Sequence, residues 1–351
     1  MTLLPKGSEK MPLLDEQHRA TFPPASFADA IPGPWGRRVP QAIAHRGYKA
    51  KWPENTMAAF AAALAVGAQA IETDLHLTKD KVVVLSHDGT LKRCFGEDRK
   101  LEDCEWSYVS TLRTMKSPPS PMPRLADLLH YLTQPGMEDK WLLLDIKRDD
   151  DPDELIRRTA ETFASVPSVR PWKDRIIMGC WDANYMRRCS RHLPGFSVAY
   201  IGWSLPYAWQ LLKHSDVSFN LLQKVLVGPF GKQFLRAAEA RGRQVFVWTV
   251  NDVEWMEWSI KKGGIDGLIT DDPELYVEVC RRQDDDRGGE RGYVMGSGLE
   301  QKMLPQESGA LRWTRLYAEV IILQILARIL ILVTRIRLGS ERKRVRDGMR
   351  G

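Results

Sequence analysis

The sequence predicts an α/β fold, a single TIM (β/α)8 barrel over residues 41–280. Three observations carry that expectation. Apolar runs of strand length alternate with helical runs eight times in roughly 240 residues, the ordinary size of one such barrel. The composition, 43% hydrophobic and 27% charged over 351 residues, leaves room for one large core. The histidines, carboxylates and tryptophans that stand out fall where strands stop, and in this fold chemistry sits at the C-terminal ends of the strands.

The elements follow in order. Residues 41–44 form a short apolar run that ends at His45-Arg46-Gly47, so the histidine sits at a strand end. Pro53-Glu54-Asn55-Thr56 opens an alanine-rich helix that closes at Gly67. In the next strand, Ala70-Ile71-Glu72-Thr73-Asp74-Leu75-His76, alternation puts Glu72, Asp74 and His76 on one face. Two carboxylates converging there suit a hard cation such as Mg or Ca; His76 joins them or packs beneath them. Residues 82–86 read as a further buried strand that delivers His87 and Asp88. Residues 89–120 are charged and run into Ser117-Pro118-Pro119-Ser120-Pro121, so a loop insertion over one face is expected there. A helix restarts with Leu125, Leu128, Leu129 and Leu132 on one stripe. Strands are then expected at 141–147 (WLLLDIK, presenting Asp145 and Lys147 at its end), 175–181, 196–202, 218–227, 244–251 (QVFVWTVN) and 267–270. Helices are expected between them at 153–163, 182–192, 205–213, 229–241 and 254–262.

The formal charge of +6 suggests nucleic acid until it is located. From Arg335 onward there are seven basic and two acidic residues, which leaves 44 basic against 43 acidic in the rest of the chain. The body is nearly neutral and the basic surplus belongs to a tail, which argues against nucleic acid and for a membrane surface. Five cysteines without CxxC spacing read as reduced thiols. Residues 1–40 lack the pattern of a secretory signal and are polar and proline-bearing. They read as a loosely ordered arm of a protein that is not secreted.

His45-Arg46-Gly47, Pro53-Glu54-Asn55-Thr56, Glu72-x-Asp74, Thr78-Lys79-Asp80 and His87-Asp88, in this order and spacing, resemble the glycerophosphodiester phosphodiesterase family. Trp248-Thr249-Val250-Asn251 and the run from Gly264 through Asp271-Asp272-Pro273 look like that family's last two strand signatures, so the resemblance spans nearly the whole barrel. It implies a TIM-barrel hydrolase that uses a divalent metal and two histidines. Residues 90–121 would be the insertion that covers the family's active-site mouth. The implied metal ligands are Glu72, Asp74 and Asp145; the implied acid-base pair is His45 and His87, with either one in either role. Arg46 and Lys147 would bind the phosphate and Trp248 would wall the pocket. Two departures stand out: Asp145 replaces the usual third glutamate, so either its strand lies closer to the metal or a water bridges the gap. Lys81 replaces a glycine after the Thr-Lys-Asp turn.

The chemistry follows from what a phosphodiester requires. Its negative charge repels nucleophiles, so a divalent ion must neutralise the nonbridging oxygens, with Arg46 and Lys147 adding fixed positive charge. One imidazole takes the nucleophile's proton and the other protonates the leaving alkoxide. By the family analogy, the neighbouring glycerol hydroxyl attacks first and water opens the resulting cyclic phosphate.

Beyond the barrel, residues 281–310 are glycine-rich and charged and read as a flexible linker. Residues 311–351 are expected to form a hydrophobic helix with a basic tail. The apolar run is short and Arg328 falls in its middle, so a helix or shallow hairpin within one leaflet is expected in place of a span. The basic cluster Arg342-Lys343-Arg344-x-Arg346 would rest on anionic lipid. A soluble diester needs no such anchor. With its compact barrel, its aspartate at the third-strand position and its hydrophobic C-terminal tail, the chain most resembles the fungal phosphatidylglycerol phospholipase C branch of that family, and the resemblance implies cleavage of phosphatidylglycerol to diacylglycerol and glycerol phosphate. The expected location is a membrane of the endoplasmic reticulum, lipid droplet or mitochondrion with the barrel facing the cytosol, and no protein partner is expected. The rival readings are an enzyme for soluble diesters such as glycerophosphocholine, an inactive lipid-binding barrel, and a barrel phospholipase for inositol or choline lipids.

Overall fold

The computed structural model describes residues 21–33 and 38–288, together with Thr314, Ala318 and Val320. The chain divides into two compact units, 12–295 and a second made of 1–11 with 296–351. Within the first unit eight parallel strands close on themselves. They are β1 (Gln41–His45), β2 (Ala70–Leu77), β3 (Trp141–Ile146), β4 (Ile176–Cys180), β5 (Ser197–Gly202), β6 (Ser218–Leu222), β7 (Val245–Trp248) and β8 (Gly267–Thr270). Each strand pairs with its neighbours in sequence, and β1 pairs with both β2 and β8, which shuts the barrel. This is the (β/α)8 architecture that the alternation of apolar runs predicts.

Helices separate the strands: α1 (Met57–Ala65), α2 (Leu125–Leu132), α3 (Pro152–Ser165), α4 (Ala183–His192), α5 (Leu205–His214), α6 (Pro229–Glu239), α7 (Val253–Lys262) and α8 (Pro273–Gly288). Several begin on a side chain that accepts an otherwise unpaired N–H, namely Thr56, Asp151, Asp182 and Ser204. The threonine of the Pro-Glu-Asn-Thr motif is therefore the cap of α1. The last helix runs through Gly288, past the boundary at 280 read from sequence. Its charges explain the extension, since Arg281 and Arg282 both pair with Glu278 one turn back. The expected linker from 289 onward and the C-terminal membrane helix lie outside the described residues, apart from Thr314, Ala318 and Val320, which are helical. Among the described residues no helix is long and apolar enough to cross a membrane.

The interior is filled by Ile43, Ala70, Trp141, Leu143, Ile177, Ala199, Phe246 and Ile269, with Ala25 and Ala28 joining the same cluster. The segment 22–30, read from sequence as part of a loose arm, thus closes the N-terminal end of the barrel. Polar side chains at the strand starts fix it there. Gln41 Nε2 donates to the carbonyls of Phe27 and Asp29, and the Ala25 and Ala30 N–H groups donate to Gln244 and Asp266. A polar, proline-bearing composition gives no sign of this, because the segment is held mainly through its backbone.

Two other differences have local causes. Residues 218–227 are one run in sequence, but β6 stops at Leu222 and a 3-10 turn follows, Gln223–Leu226. There the Gln223 amide donates to Trp255 O and Ser259 Oγ of α7. The insertion is more than a loop. After the expected strand, here Val83–Leu85 and antiparallel to β2, it forms the short helices Lys92–Phe95 and Trp106–Val109 and folds over an apolar cluster of Val84, Leu91, Leu101, Cys104, Val109 and Met122. Lys81, in place of a glycine, adopts φ 65°, which explains the usual residue there.

Gly47 has φ 81°, and a Cβ there would lie 2.7 Å from the Ala59 carbonyl carbon in α1. We expect Gly47→Ala to lower stability by about 2 kcal/mol in urea unfolding, since both the backbone conformation and the close approach exclude a side chain.

Candidate active site

Barrel closure decides which side chains meet. The register sets His45 beside Glu72, and Asp74 beside Asp145. As a result Glu72, Asp74 and Asp145, all buried, bring carboxylate oxygens within 4.8 Å of one another. Aspartate therefore reaches the cluster from β3 despite its shorter side chain. At the C-terminal end of the strands these residues line a cavity of about 130 Å³ with His45, Arg46, His87, Lys147, Trp181 and Trp248. All eight site residues singled out in the sequence border this one space. A larger hollow of about 720 Å³ lies at the opposite end, beside Phe22, Phe27 and Lys173, and holds no comparable cluster of titratable groups.

The charges are tightly paired. Lys147 Nζ lies 2.7 Å from Asp74 Oδ1 and 2.6 Å from Asp145 Oδ2. Burial opposes its charge, yet Asp145 and Asp74 together hold the ammonium above the ordinary lysine range. Asp74 also accepts from Asn55 Nδ2 at 2.9 Å and faces Arg46 Nε at 3.4 Å. Burial pushes its acid form up, but Lys147 and Arg46 win and Asp74 stays ionised well below the usual range. Glu72 accepts the backbone N–H of Arg46 at 3.2 Å, and its Oε2 lies 3.9 Å from His45 Nε2. Burial, and then the charge on Asp74, raise its carboxyl well above the usual value.

Each catalytic candidate histidine leans on an aspartate. His45 Nδ1 lies 2.6 Å from Asp271 Oδ1, and His87 Nδ1 lies 2.7 Å from Asp88 Oδ1. An ionised carboxylate only accepts, so each Nδ1 carries the proton and each Nε2 is left as the free basic nitrogen. Asp271 is itself ionised, because burial is outweighed by His45 and the carboxyl is held at about 2. Burial pushes the His45 imidazolium down, and its contact with Asp271 opposes that only in part. Asn251 steadies Asp271 by donating from Nδ2 at 3.0 Å and accepting the Asp271 N–H at 2.9 Å. His76 is not at the cavity. It is buried against Asp150 at 2.7 Å, with Nε2 3.4 Å from the carbonyl of His87, which is the packing alternative of the sequence reading.

A chain of ion pairs ties the insertion to the site. Arg93 donates to both oxygens of Glu54, at 2.9 and 2.8 Å, and to Asp88 at 2.6 and 3.1 Å. Glu54 in turn accepts from Arg46 at 2.9 Å, and burial notwithstanding, the two arginines hold its carboxyl at about 2. Arg46 and Asn55 take φ of 57° and 52°, strained positions at the loop where these contacts converge. Sequence reasoning missed Asp271, Arg93 and Asn220, a cavity-lining residue of β6. Asp271 lay within a quoted signature; the other two sit in stretches with no pattern of their own.

The three carboxylates fit a resident divalent cation. They supply hard oxygen donors, and Lys147 pairs with two of them, so that among the described residues Glu72 has no cationic side chain in hydrogen-bond contact.

The sequence profile of the Glycerophosphoryl diester phosphodiesterase family matches residues 45–275. A glycerophosphodiester phosphodiesterase of Caldanaerobacter subterraneus is 27% identical over 252 residues, covering 68% of this chain and 97% of its own. The crystal structure of a glycerophosphodiester phosphodiesterase from Thermotoga maritima superposes with a TM-score of 0.57 at 27% identity, over 69% of this chain and 99% of the other. A phosphodiesterase of Oleispira antarctica, solved with the product sn-glycerol-3-phosphate, is similar in fold, with a TM-score of 0.61 at 23% identity over 69% and 97% of the chains.

Because Arg93 ties the insertion to Glu54 and Asp88, Arg93→Ala should speed amide exchange across residues 89–121. Exchange in the barrel strands should stay as in the parent protein.

Proposed function

Since the chain belongs to the glycerophosphoryl diester phosphodiesterase family and is a phosphoric diester hydrolase, we propose that its substrate is phosphatidylglycerol, cleaved to diacylglycerol and glycerol phosphate. The observation that carries the hydrolytic part is the meeting of two histidines, each with a free Nε2, beside three buried carboxylates in one cavity. At about 130 Å³ that cavity suits a polar headgroup and leaves acyl chains outside. Trp203 and Phe230, 50% and 66% exposed, stand on the segments that leave β5 and β6 at this same end. Trp203 also packs edge-on against the cavity-lining Trp181. Together with the apolar, basic-ended stretch 311–351, these features favour a substrate presented at a lipid surface. In this reading the composition of the same stretch favours an intracellular membrane, with the barrel on its cytosolic side.

In this reading Glu72, Asp74 and Asp145 hold Mg or Ca, which when bound would neutralise the nonbridging phosphate oxygens. Arg46 and Lys147 add fixed positive charge on the same side of the cavity. One Nε2 takes the proton of the attacking headgroup hydroxyl. The other protonates the departing diacylglycerol oxygen, and the pair reverses roles as water opens the cyclic phosphate. Asp271 and Asp88 keep the two rings aimed and in the right tautomer. Trp248 and Trp181 wall the far side and exclude water.

With purified full-length protein and phosphatidylglycerol vesicles, lipid analysis should show diacylglycerol and glycerol phosphate, and a chelator should suppress both. Turnover confined to soluble glycerophosphocholine would overturn the lipid substrate. His45→Ala and His87→Ala should each lower kcat by about 10²–10⁴-fold, read as initial rates at saturating substrate.

A further inference from the structure

The cavity has two unlike halves. Toward β1, β2 and β3 it presents His45, Arg46, Glu72, Asp74, Asp145 and Lys147, joined by the ion pairs described above. Toward β4 through β8 it presents Trp181, Ile201, Trp248 and Ile269, with the half-buried Thr249 and the buried Asn220 among them. Asn220 lies in β6, its register partners being Ile201 in β5 and Phe246 in β7, so its place in the barrel is an apolar layer. It is 96% buried, being 4% exposed, and its Oδ1 has no hydrogen-bond partner among the described residues. Its backbone carbonyl is occupied, since it accepts Trp248 Nε1 at 3.1 Å. A leucine would fill such a position at no polar cost. A buried carboxamide with an unmet hydrogen-bonding end costs on the order of 1–3 kcal/mol, so its presence calls for a partner in the cavity.

The carboxamide both donates and accepts, and a hydroxyl does the same. A phosphate oxygen only accepts, and Arg46 and Lys147 already stand on the opposite side to receive it. We propose that Asn220 is the binding site for a hydroxyl of the substrate's glycerol headgroup and so sets selectivity for glycerol over headgroups that lack that hydroxyl. This rests on the glycerol diester reading above. The neighbouring Trp248 and Ile201 cover the carbon side of the headgroup, and Asn220 is the buried polar side chain in that half left to read it.

The test compares two ligands on the full-length protein loaded with a divalent cation: sn-glycerol 3-phosphate, and n-propyl phosphate, which has the same chain and no hydroxyl. Calorimetric dissociation constants are measured for the parent, Asn220→Ala and Asn220→Leu, the leucine variant guarding against a packing defect. The parent should prefer glycerol 3-phosphate by about 10–100-fold, and both variants should hold the two ligands within about threefold while n-propyl phosphate binds as before. A preference that survives in the folded variants would overturn the assignment, as would equal weakening of both ligands, which marks a structural role. If the parent binds neither phosphate, the diester reading itself fails and the Asn220 site goes with it.

Discussion

Three carboxylates held within 4.8 Å of one another in a closed interior repel strongly, and much of the upper half of this barrel exists to make that arrangement tolerable. Lys147 bridges two of them, and Asn55 and Arg46 engage Asp74 from the first loop. Glu54 fixes Arg46, and Arg93 fixes Glu54 while reaching across to Asp88. The charge on β2 and β3 is thereby connected to the insertion and to the second histidine. What the protein side chains leave uncompensated is centred on Glu72, whose carboxyl is driven upward by burial and by Asp74. A cation bound there would relieve the strain that the protein alone only shares out.

The scaffold makes this possible by separating stability from chemistry. Toward the N-terminal end the barrel is filled with Ala25, Ala28, Trp141, Leu143 and Phe246, and Trp141 Nε1 donates to Gln41 at 2.8 Å. Toward the other end the interior side chains become ionisable. Closure between β1 and β8 brings Asp271, more than two hundred residues away in sequence, against His45. The histidines are thus oriented by very different means. His45 depends on barrel closure, while His87 takes its aspartate from the next residue and depends on Arg93 to hold that aspartate in place.

The alternation of strand and helix, and the side chains at the strand ends, were legible because period and position carry them locally. Glu72 and Asp74 could be placed on one face by counting, and Asp145 at the end of WLLLDIK by the same rule. The features that were not legible depend on distant partners. Nothing near Asn220 marks it as a buried polar group between apolar register partners, because those partners come from β5 and β7. Arg93 reads as one more charge in a charged loop until Glu54 and Asp88 are seen to face it. The barrel plug at 22–30 is held by side chains at the starts of β1 and β7 that no local pattern connects to it. Residue type misled in one direction only: the polar composition of residues 1–40 reads as looseness where part of it is packed.

The most direct test of this account is a calorimetric titration of metal-stripped protein with Mg or Ca. The account predicts uptake of one divalent ion per chain, lost in Glu72→Gln and Asp74→Asn without loss of the fold. No uptake by the parent protein, or uptake that both variants retain, would contradict the claim that these buried carboxylates are built to hold a cation.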